Sequence, residues 1–331
     1  MKNFNNKTVV LTGITPSGIP HLGNFIGAIK PSIELSKENG FLSLFFIADY
    51  HSLAKLQDPE LRRKYINEIT ATCLALGIDY NKVIFYKQSS IPEILELYWI
   101  LTTVTRKGIL NRSHQNKSFY DQVGLSSKKS INMGIFNYPM LMAADIILFG
   151  TDKVPVGKDQ IQHIEIAKNI VKSFNRTYNS SILKLPLPVI NNENILGIDG
   201  RKMSKSYGNT INLFSKKEDI KRLIFKMKTN SQKANEPKDF ENCNLFNILK
   251  NFSSPDEIEE IKQNYSKGQA WGKVKSLLVE KIEDYFKDKR EKYEFFMNNK
   301  HIMTRVLSEG SNNARIISKF NLEKIKNVIG I

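Results

Sequence analysis

Arg201-Lys202-Met203-Ser204-Lys205-Ser206 puts two lysines either side of a Met-Ser pair, in a stretch flanked by Gly197, Gly200 and Gly208. Ammonium groups so spaced can wrap a triphosphate. Their charge would stabilise a departing pyrophosphate, the electrostatic effect that dominates phosphoryl and nucleotidyl transfer. A lysine-rich loop is more often merely solvated, so this stretch needs a partner motif. Pro20-His21-Leu22-Gly23-Asn24 supplies one, because it lies where a first strand gives way to a first helix. In parallel sheets that is the crevice where ligands bind, and a helix N-terminus there offers free N–H groups to phosphate. Gly23 would let a base or ribose approach the backbone, and His21 and Asn24 can donate to phosphate oxygens. Taken alone, a capped helix start with a surface histidine explains these residues equally well.

The elements that must position these residues alternate. Thr8-Val9-Val10-Leu11-Thr12 is a β-branched run ending at Gly13, and Leu42 to Ala48 and Val83 to Tyr86 are further apolar runs of strand length. Between them, Phe25, Ile26, Ile29, Ile33 and Leu35 recur at helical spacing up to Gly40. Leu61, Tyr65, Ile69, Cys73 and Leu76 do the same between Pro59 and Gly77. Pro92 opens another helix. Ile131 to Gly150 reads as helix bent near Pro139, Val154-Pro155-Val156 as a short strand, and Asp159 to Phe174 as an amphipathic helix. Such alternation predicts βαβ units and a parallel sheet. After Leu213 nothing reads as strand. Ser215 with Glu218 predicts a capping box for a helix through Met227. Ser254-Pro255 predicts a helix with acidic residues in its first turn, and Val274 to Phe286 a long amphipathic one. The expected architecture is α/β: a Rossmann-like, doubly wound parallel-sheet domain over residues 1–207, ending in the lysine loop. An all-helical domain over 208–331 follows, whose last helix can pack back on the first.

Composition narrows the partners. The chain has 331 residues and 49 Lys plus Arg against 33 Asp plus Glu, a formal net charge of +16. That excess favours a polyanion, since each neutralised phosphate releases condensed counterions. Cys73 and Cys243 are far apart with no CxxC, which fits a reducing compartment. The five histidines have no metal-ligand spacing with a cysteine, so no resident metal is expected. No window approaches the ~18 uninterrupted apolar residues of a membrane span, and the start of the chain lacks a secretory pattern. A cytoplasmic protein without a membrane partner is expected.

Residues 20–24 resemble the HIGH motif, and residues 202–206 match the KMSKS motif, of class I aminoacyl-tRNA synthetases. Thr15-Pro16-Ser17-Gly18 with His21-Leu22-Gly23-Asn24 resembles the opening of the bacterial tryptophanyl-tRNA synthetase family. Tyr138 to Ile146 and Val154 to Gln160 are similar to two further blocks of it, and the likeness covers residues 8–330 in order. The resemblance implies an ATP site formed by Thr15, Pro16, Ser17, Gly23, Asn24, Gly157, Lys158, Asp159, a backbone contact at Ile195, and the loop Lys202, Met203, Ser204, Lys205 and Ser206. It implies that Lys202, Ser204, Lys205 and His21 serve catalysis. For tryptophan it implies Asp145 as acceptor of the indole N–H, Met142 on the indole face, and His51 and Gln160 at the amino acid. Indole offers one donor and no acceptor, so a buried carboxylate is a fitting partner. Mg²⁺ would ride on the ATP phosphates.

The resemblance further implies a tRNA partner read by the helical domain, with Lys226, Lys228, Lys262, Lys267, Lys273 and Lys275 as phosphate contacts, and a homodimer. Leu11 stands where that family carries Phe, Thr15 where it carries Gln and His21 where it carries Thr; Gly108 to His114 also differs. These departures point to a distinct branch. A tyrosyl-tRNA synthetase shares the fold and both motifs, and a small-molecule nucleotidyltransferase of the HxGH type shares the sheet; both remain open on sequence alone.

Overall fold

The computed structural model describes residues 7–114, 132–191 and 195–331. Its sheet has five parallel strands: β1 (Thr8–Ile14), β2 (Phe41–Ile47), β3 (Ile84–Lys87), β4 (Lys153–Gly157) and β5 (Leu187–Asn191), in the order β3-β2-β1-β4-β5. The chain therefore builds outward from β1 on one side, then returns to build outward on the other. The reversal lies between β1 and β4, whose C-terminal ends open a crevice of the kind parallel sheets use for ligands. Strand β5 was not legible as a strand, because Pro186 and Pro188 punctuate it. An edge strand tolerates proline, which has no N–H to give to a second neighbour.

Three segments form the first helix: α1 (Leu22–Asn24), a π-helical turn (Phe25–Ile29) and α2 (Lys30–Leu35). Pro31 has no N–H for the Gly27 carbonyl and its ring crowds that carbonyl, so the turn before it widens and Lys30 N–H reaches back to Phe25. The helix stops at Leu35, short of Gly40. There follow α3 (Asp49–Leu53), α4 (Pro59–Ala75), α5 (Glu93–Val104), α6 (Lys107–His114), α7 (Met133–Leu148) and α8 (Ile161–Thr177). Helix α7 runs unbroken through Pro139. Ile131 and the segment 115–131 lie outside the described residues, as do the side chains of residues 112–114.

Beyond β5 come α9 (Lys217–Lys226), α10 (Asn244–Leu249), α11 (Pro255–Ser266), α12 (Trp271–Asn298) and α13 (Lys300–Ile329). The capping box expected at Ser215 and Glu218 does not form. Lys216 is the N-cap with no side-chain hydrogen bond, and the Ser215 carbonyl accepts from Arg290 instead. The box appears at α11, where Ser254 and Glu257 bond reciprocally.

Helix α12 packs against α4, while α13 crosses β3 and α5, so the C-terminal helices share the core of the sheet. Phe25, one turn into the first helix, meets Tyr285 and Phe286 of α12 at ring-centroid distances of 5.4 and 5.3 Å, and Phe252 at 6.0 Å. Each buried aromatic contributes about 1.5–3 kcal/mol. The crossing of α13 over β3 depends on Gly310, where a Cβ would stand 1.8 Å from the Phe85 carbonyl oxygen. Gly310→Ala should destabilise the fold by about 3 kcal/mol or more, because it meets backbone rather than a side chain that can move. A thermal midpoint unchanged from the parent would show that α13 can back away freely.

Candidate active site

The β1–α1 junction carries the first motif. His21 is the N-cap: its Nδ1 accepts the Asn24 N–H at 3.3 Å, and the Asn24 side-chain oxygen accepts the His21 N–H at 3.2 Å. Burial holds the His21 imidazole at a pKa of about 4, with Lys205 adding in the same direction. It is therefore neutral at pH 7, with Nδ1 occupied as acceptor, so the proton sits on Nε2. That N–H and the Asn24 amide hydrogens are the donors this cap retains for a phosphate.

The lysine loop is docked on this junction. Met203 is buried, and its sulfur accepts the Gly23 N–H at 3.3 Å. Met203 N–H donates to the Ile195 carbonyl, Leu22 N–H to Ile211 and Leu213 N–H to Pro20. Asn209, which no periodic pattern marks, organises the loop. Its side-chain oxygen accepts the Ser204 N–H at 2.7 Å, while its amide donates to Asp199 at 2.7 Å and to the Lys202 carbonyl at 3.2 Å. Gly197 is required beside it, since a Cβ there would lie 2.4 Å from the Asn209 amide. Ser206 is exposed at the end of the loop.

The two lysines are held differently. Lys202 is exposed and pairs with Asp159 at 3.3 Å. Burial disfavours the charge of Asp159, but Lys202 and the Gln160 hydrogen bond outweigh it and bring its pKa below the ordinary carboxylate range. Gln160 donates to Asp159 at 3.1 Å and accepts from His163 at 2.8 Å. Gly157 stands immediately before, where a Cβ would meet the Asp159 carboxylate at 2.7 Å; Lys158 is exposed between them. Lys205 lies instead across Gly18, whose added Cβ would fall 2.8 Å from Lys205 Cδ. Gly18 has a φ of +140°, so it serves both the turn and the close approach. Burial lowers the Lys205 ammonium to a pKa of about 8.

A second cluster lies at the C-terminal ends of β2 and β3. Asp145 of α7 is buried, 1% exposed. Its Oδ2 accepts from His51 Nε2 at 2.8 Å and from Gln88 Nε2 at 2.9 Å, and its Oδ1 from Gln88 Nε2 at 2.8 Å. Burial raises the carboxyl pKa; the His51 and Gln88 hydrogen bonds oppose this without cancelling it. Tyr138 joins this cluster to the first. Its ring lies 4.4 Å from that of His51 and 5.6 Å from that of His163, and its hydroxyl bonds to the Thr15 side chain. Burial, then the Asp145 charge, pushes that hydroxyl to a pKa of about 12. Met142 is half-buried and packs on the hydrophobic cluster that also contains Leu11 and Ala143.

The residues expected at an ATP site thus converge around the β1–β4 crevice, with Pro16 buried and Ser17 exposed at its rim. Those expected around an aromatic substrate adjoin it through Tyr138. Neither Gln88 nor Asn209 carries a signal in the sequence, and Tyr138 stands out there only as part of a block; each is a single polar residue whose value lies in partners remote along the chain. One expectation is overturned. Lys275 is buried, and its ammonium donates to the Phe225 and Met227 carbonyls at 3.0 and 2.8 Å, closing the C-terminus of α9. Its side chain is spent on the protein's own backbone and is not presented at the surface as a phosphate contact. Lys226, Lys228, Lys267 and Lys273 are exposed, and Lys262 pairs with Glu259.

A neutral histidine cap at the switch point of a parallel sheet, with a lysine loop docked on it, is the arrangement of a nucleotide-activating enzyme of the class I synthetase type. The model of class I tRNA synthetases (W and Y) matches residues 2–287, and the chain belongs to that family. Within it, the chain is 42% identical to the tryptophan–tRNA ligase of Xanthomonas campestris, over 98% of this chain and 77% of that one. It is 46% identical to that of Xylella fastidiosa, over 87% of this chain and 68% of that one. The solved structure of tryptophanyl-tRNA synthetase from Campylobacter jejuni, complexed with ADP and tryptophan, is 41% identical with a TM-score of 0.83, covering 98% of this chain and 100% of that chain.

Proposed function

We propose that this chain is a tryptophan–tRNA ligase, activating L-tryptophan with ATP to tryptophanyl-adenylate and pyrophosphate and then transferring it to tRNA. The observation that carries the choice of amino acid is Asp145, a buried carboxylate beside the nucleotide crevice. A buried acceptor-only group suits a ring that offers one donor and no acceptor.

In the first step the tryptophan carboxylate attacks the α-phosphorus in line, and the bond to pyrophosphate breaks. No protein nucleophile is required; positioning and fixed charge suffice. Lys205, Lys202 and the Ser204 region carry the leaving charge, and the His21–Asn24 helix start donates to the phosphates. Gly157, Asp159 and Ile195 hold the nucleoside end. His51 and Gln160 face the amino acid, with Met142 against the indole. Lys202 leaves Asp159 for phosphate, which frees Asp159 for ribose. Mg²⁺ enters as the counter-ion of ATP; among the described residues no three His, Cys, Asp or Glu side chains converge to hold one independently.

In the second step a hydroxyl of the terminal ribose of tRNA attacks the carbonyl carbon of the mixed anhydride, forming the ester as the bond to AMP breaks and AMP leaves. Residues 1–207 form the catalytic domain in this reading, and residues 208–331 present Lys226, Lys228, Lys267 and Lys273 to an anticodon loop, whose unstacked bases are readable. Two copies of the chain hold one tRNA between them, in the cytoplasm. Among the described residues no helix is long and apolar enough to cross a membrane.

ATP–pyrophosphate exchange with each amino acid supplied separately tests the reading. Tryptophan-dependent exchange is expected. Exchange with tyrosine alone would overturn the specificity, and none with any amino acid would overturn the activity.

A further inference from the structure

Gln88 sits in the 3₁₀ turn Gln88–Ser90 that follows β3, and it is fully buried. Both ends of its amide are committed. The oxygen accepts the backbone N–H groups of Tyr50 at 3.1 Å and His51 at 3.3 Å. Only an oxygen can accept there, so the amide cannot turn over, and its NH₂ must point at Asp145. That NH₂ lies 2.8 and 2.9 Å from the two Asp145 oxygens. The same turn is tied to α3 a second time, because Ser89 N–H donates to the Asp49 carboxylate at 2.9 Å.

An ionised carboxylate has about four lone-pair sites. Oδ2 receives His51 and Gln88, whereas Oδ1 receives Gln88 alone. We propose that Gln88 is a positioning residue for amino-acid selection: it locks the Asp145 carboxylate so that a single Oδ1 acceptor site is left for the ring N–H of the substrate. This rests on the tryptophan reading and deepens it. Asp145 meets its partners before substrate arrives, so binding costs no reorganisation, and an amino acid lacking the ring N–H leaves the Oδ1 site unpaired. Without Gln88 the carboxylate could rotate about its terminal bond, because His51 alone fixes one oxygen only.

Gln88→Glu separates this role from structural support. Its carboxylate still accepts the Tyr50 and His51 N–H groups, but its other oxygen now faces Asp145 with no hydrogen to donate. Two buried carboxylates in contact disfavour each other's charge, so the pair takes up one shared proton as the pH falls. The other titratable groups facing Asp145 are His51 and Asp49 of α3, Tyr86 of β3 and Tyr138 of α7 itself; all of them are unchanged in this variant. At pH 8 the variant should show a tryptophan KM raised roughly tenfold or more, with the ATP KM unmoved and selectivity over phenylalanine reduced. Lowering the pH to 6 should restore much of the tryptophan KM, because the shared proton then supplies the missing hydrogen. Gln88→Met, which can neither donate nor accept, should show the same loss with no recovery at low pH; thermal midpoints of both variants report folding.

A parental tryptophan KM in Gln88→Glu would overturn the proposal. So would equal rises in the tryptophan and ATP KM values, which a merely structural role predicts. Tyrosine-dependent exchange by the unaltered protein would instead overturn the reading beneath it, and the proposal with it.

Discussion

Replacing Lys205 with alanine should slow adenylate formation in a single turnover by about 10²–10³-fold, the cost typical of removing one preorganised charge from a transition state. The geometry makes it larger than the effect of Lys202→Ala. Lys205 is already partly desolvated over Gly18, with its pKa held at about 8 by burial. A triphosphate arriving there meets a cation that water screens poorly, so its field is strong where charge develops. Lys202 is exposed and must leave Asp159 before it can act, which offsets part of what it contributes. An unaltered single-turnover rate in Lys205→Ala would remove it from the reaction. The same burial gives a pH dependence with a definite sign. Below about pH 8 the free protein carries Lys205 charged; above it the neutral form grows, and ATP must draw a proton to bind productively. The kcat/KM for ATP should therefore fall on the alkaline side by about tenfold per pH unit beyond that pKa. Lys205→Arg, which stays charged, should lose the alkaline fall even if its rate is lower.

Much of this arrangement could be read before any coordinates. The alternation of β-branched runs with amphipathic stretches carries the parallel sheet, and most of the residues proposed for ATP outside the lysine loop fall at the junctions after β1 and β4. Buried positions at helical spacing, such as Phe25, Ile29, Ile69 and Ile170, did reach the core. Local pattern failed where a residue's partners are remote. Ser215 and Glu218 have the spacing of a cap, but Arg290 of α12 takes the Ser215 carbonyl. Lys275 lies two positions from the exposed Lys273 in a lysine-rich helix, and only the third dimension turns its ammonium onto the end of α9. Pro186 and Pro188 concealed an edge strand. Gln88 and Asn209 belong to no periodic face, and Gly310 lies on the buried face of α13 but has no side chain to mark it; each is fixed by atoms at least five and as many as 225 positions away in sequence. The sheet was visible because its signal repeats; the polar scaffolding of the site was not, because each part occurs once.

The sharpest test of substrate choice is Asp145→Asn, which changes one atom's chemistry and almost no volume. The carboxylate has only donors around it, His51 Nε2 and Gln88 Nε2. An asparagine must aim one oxygen at them and leave its NH₂ either against a donor or at the substrate. In the first arrangement the pocket is strained; in the second the indole N–H faces another N–H. Losing a hydrogen bond to a charged acceptor costs about 1.5–3 kcal/mol, so the tryptophan KM should rise roughly tenfold to a hundredfold. The ATP KM should move little, because among the described residues Tyr138 stands between this cluster and the residues proposed for ATP. Selectivity should change more than affinity. In the proposed reading the unaltered site rejects phenylalanine partly because a buried carboxylate would keep an unpaired acceptor position, and asparagine lowers that penalty. The ratio of exchange rates with tryptophan and phenylalanine should therefore narrow in Asp145→Asn at an unchanged thermal midpoint. A tryptophan KM equal to that of the parent would take Asp145 out of the amino-acid pocket, and with it the physical reason for preferring an indole here.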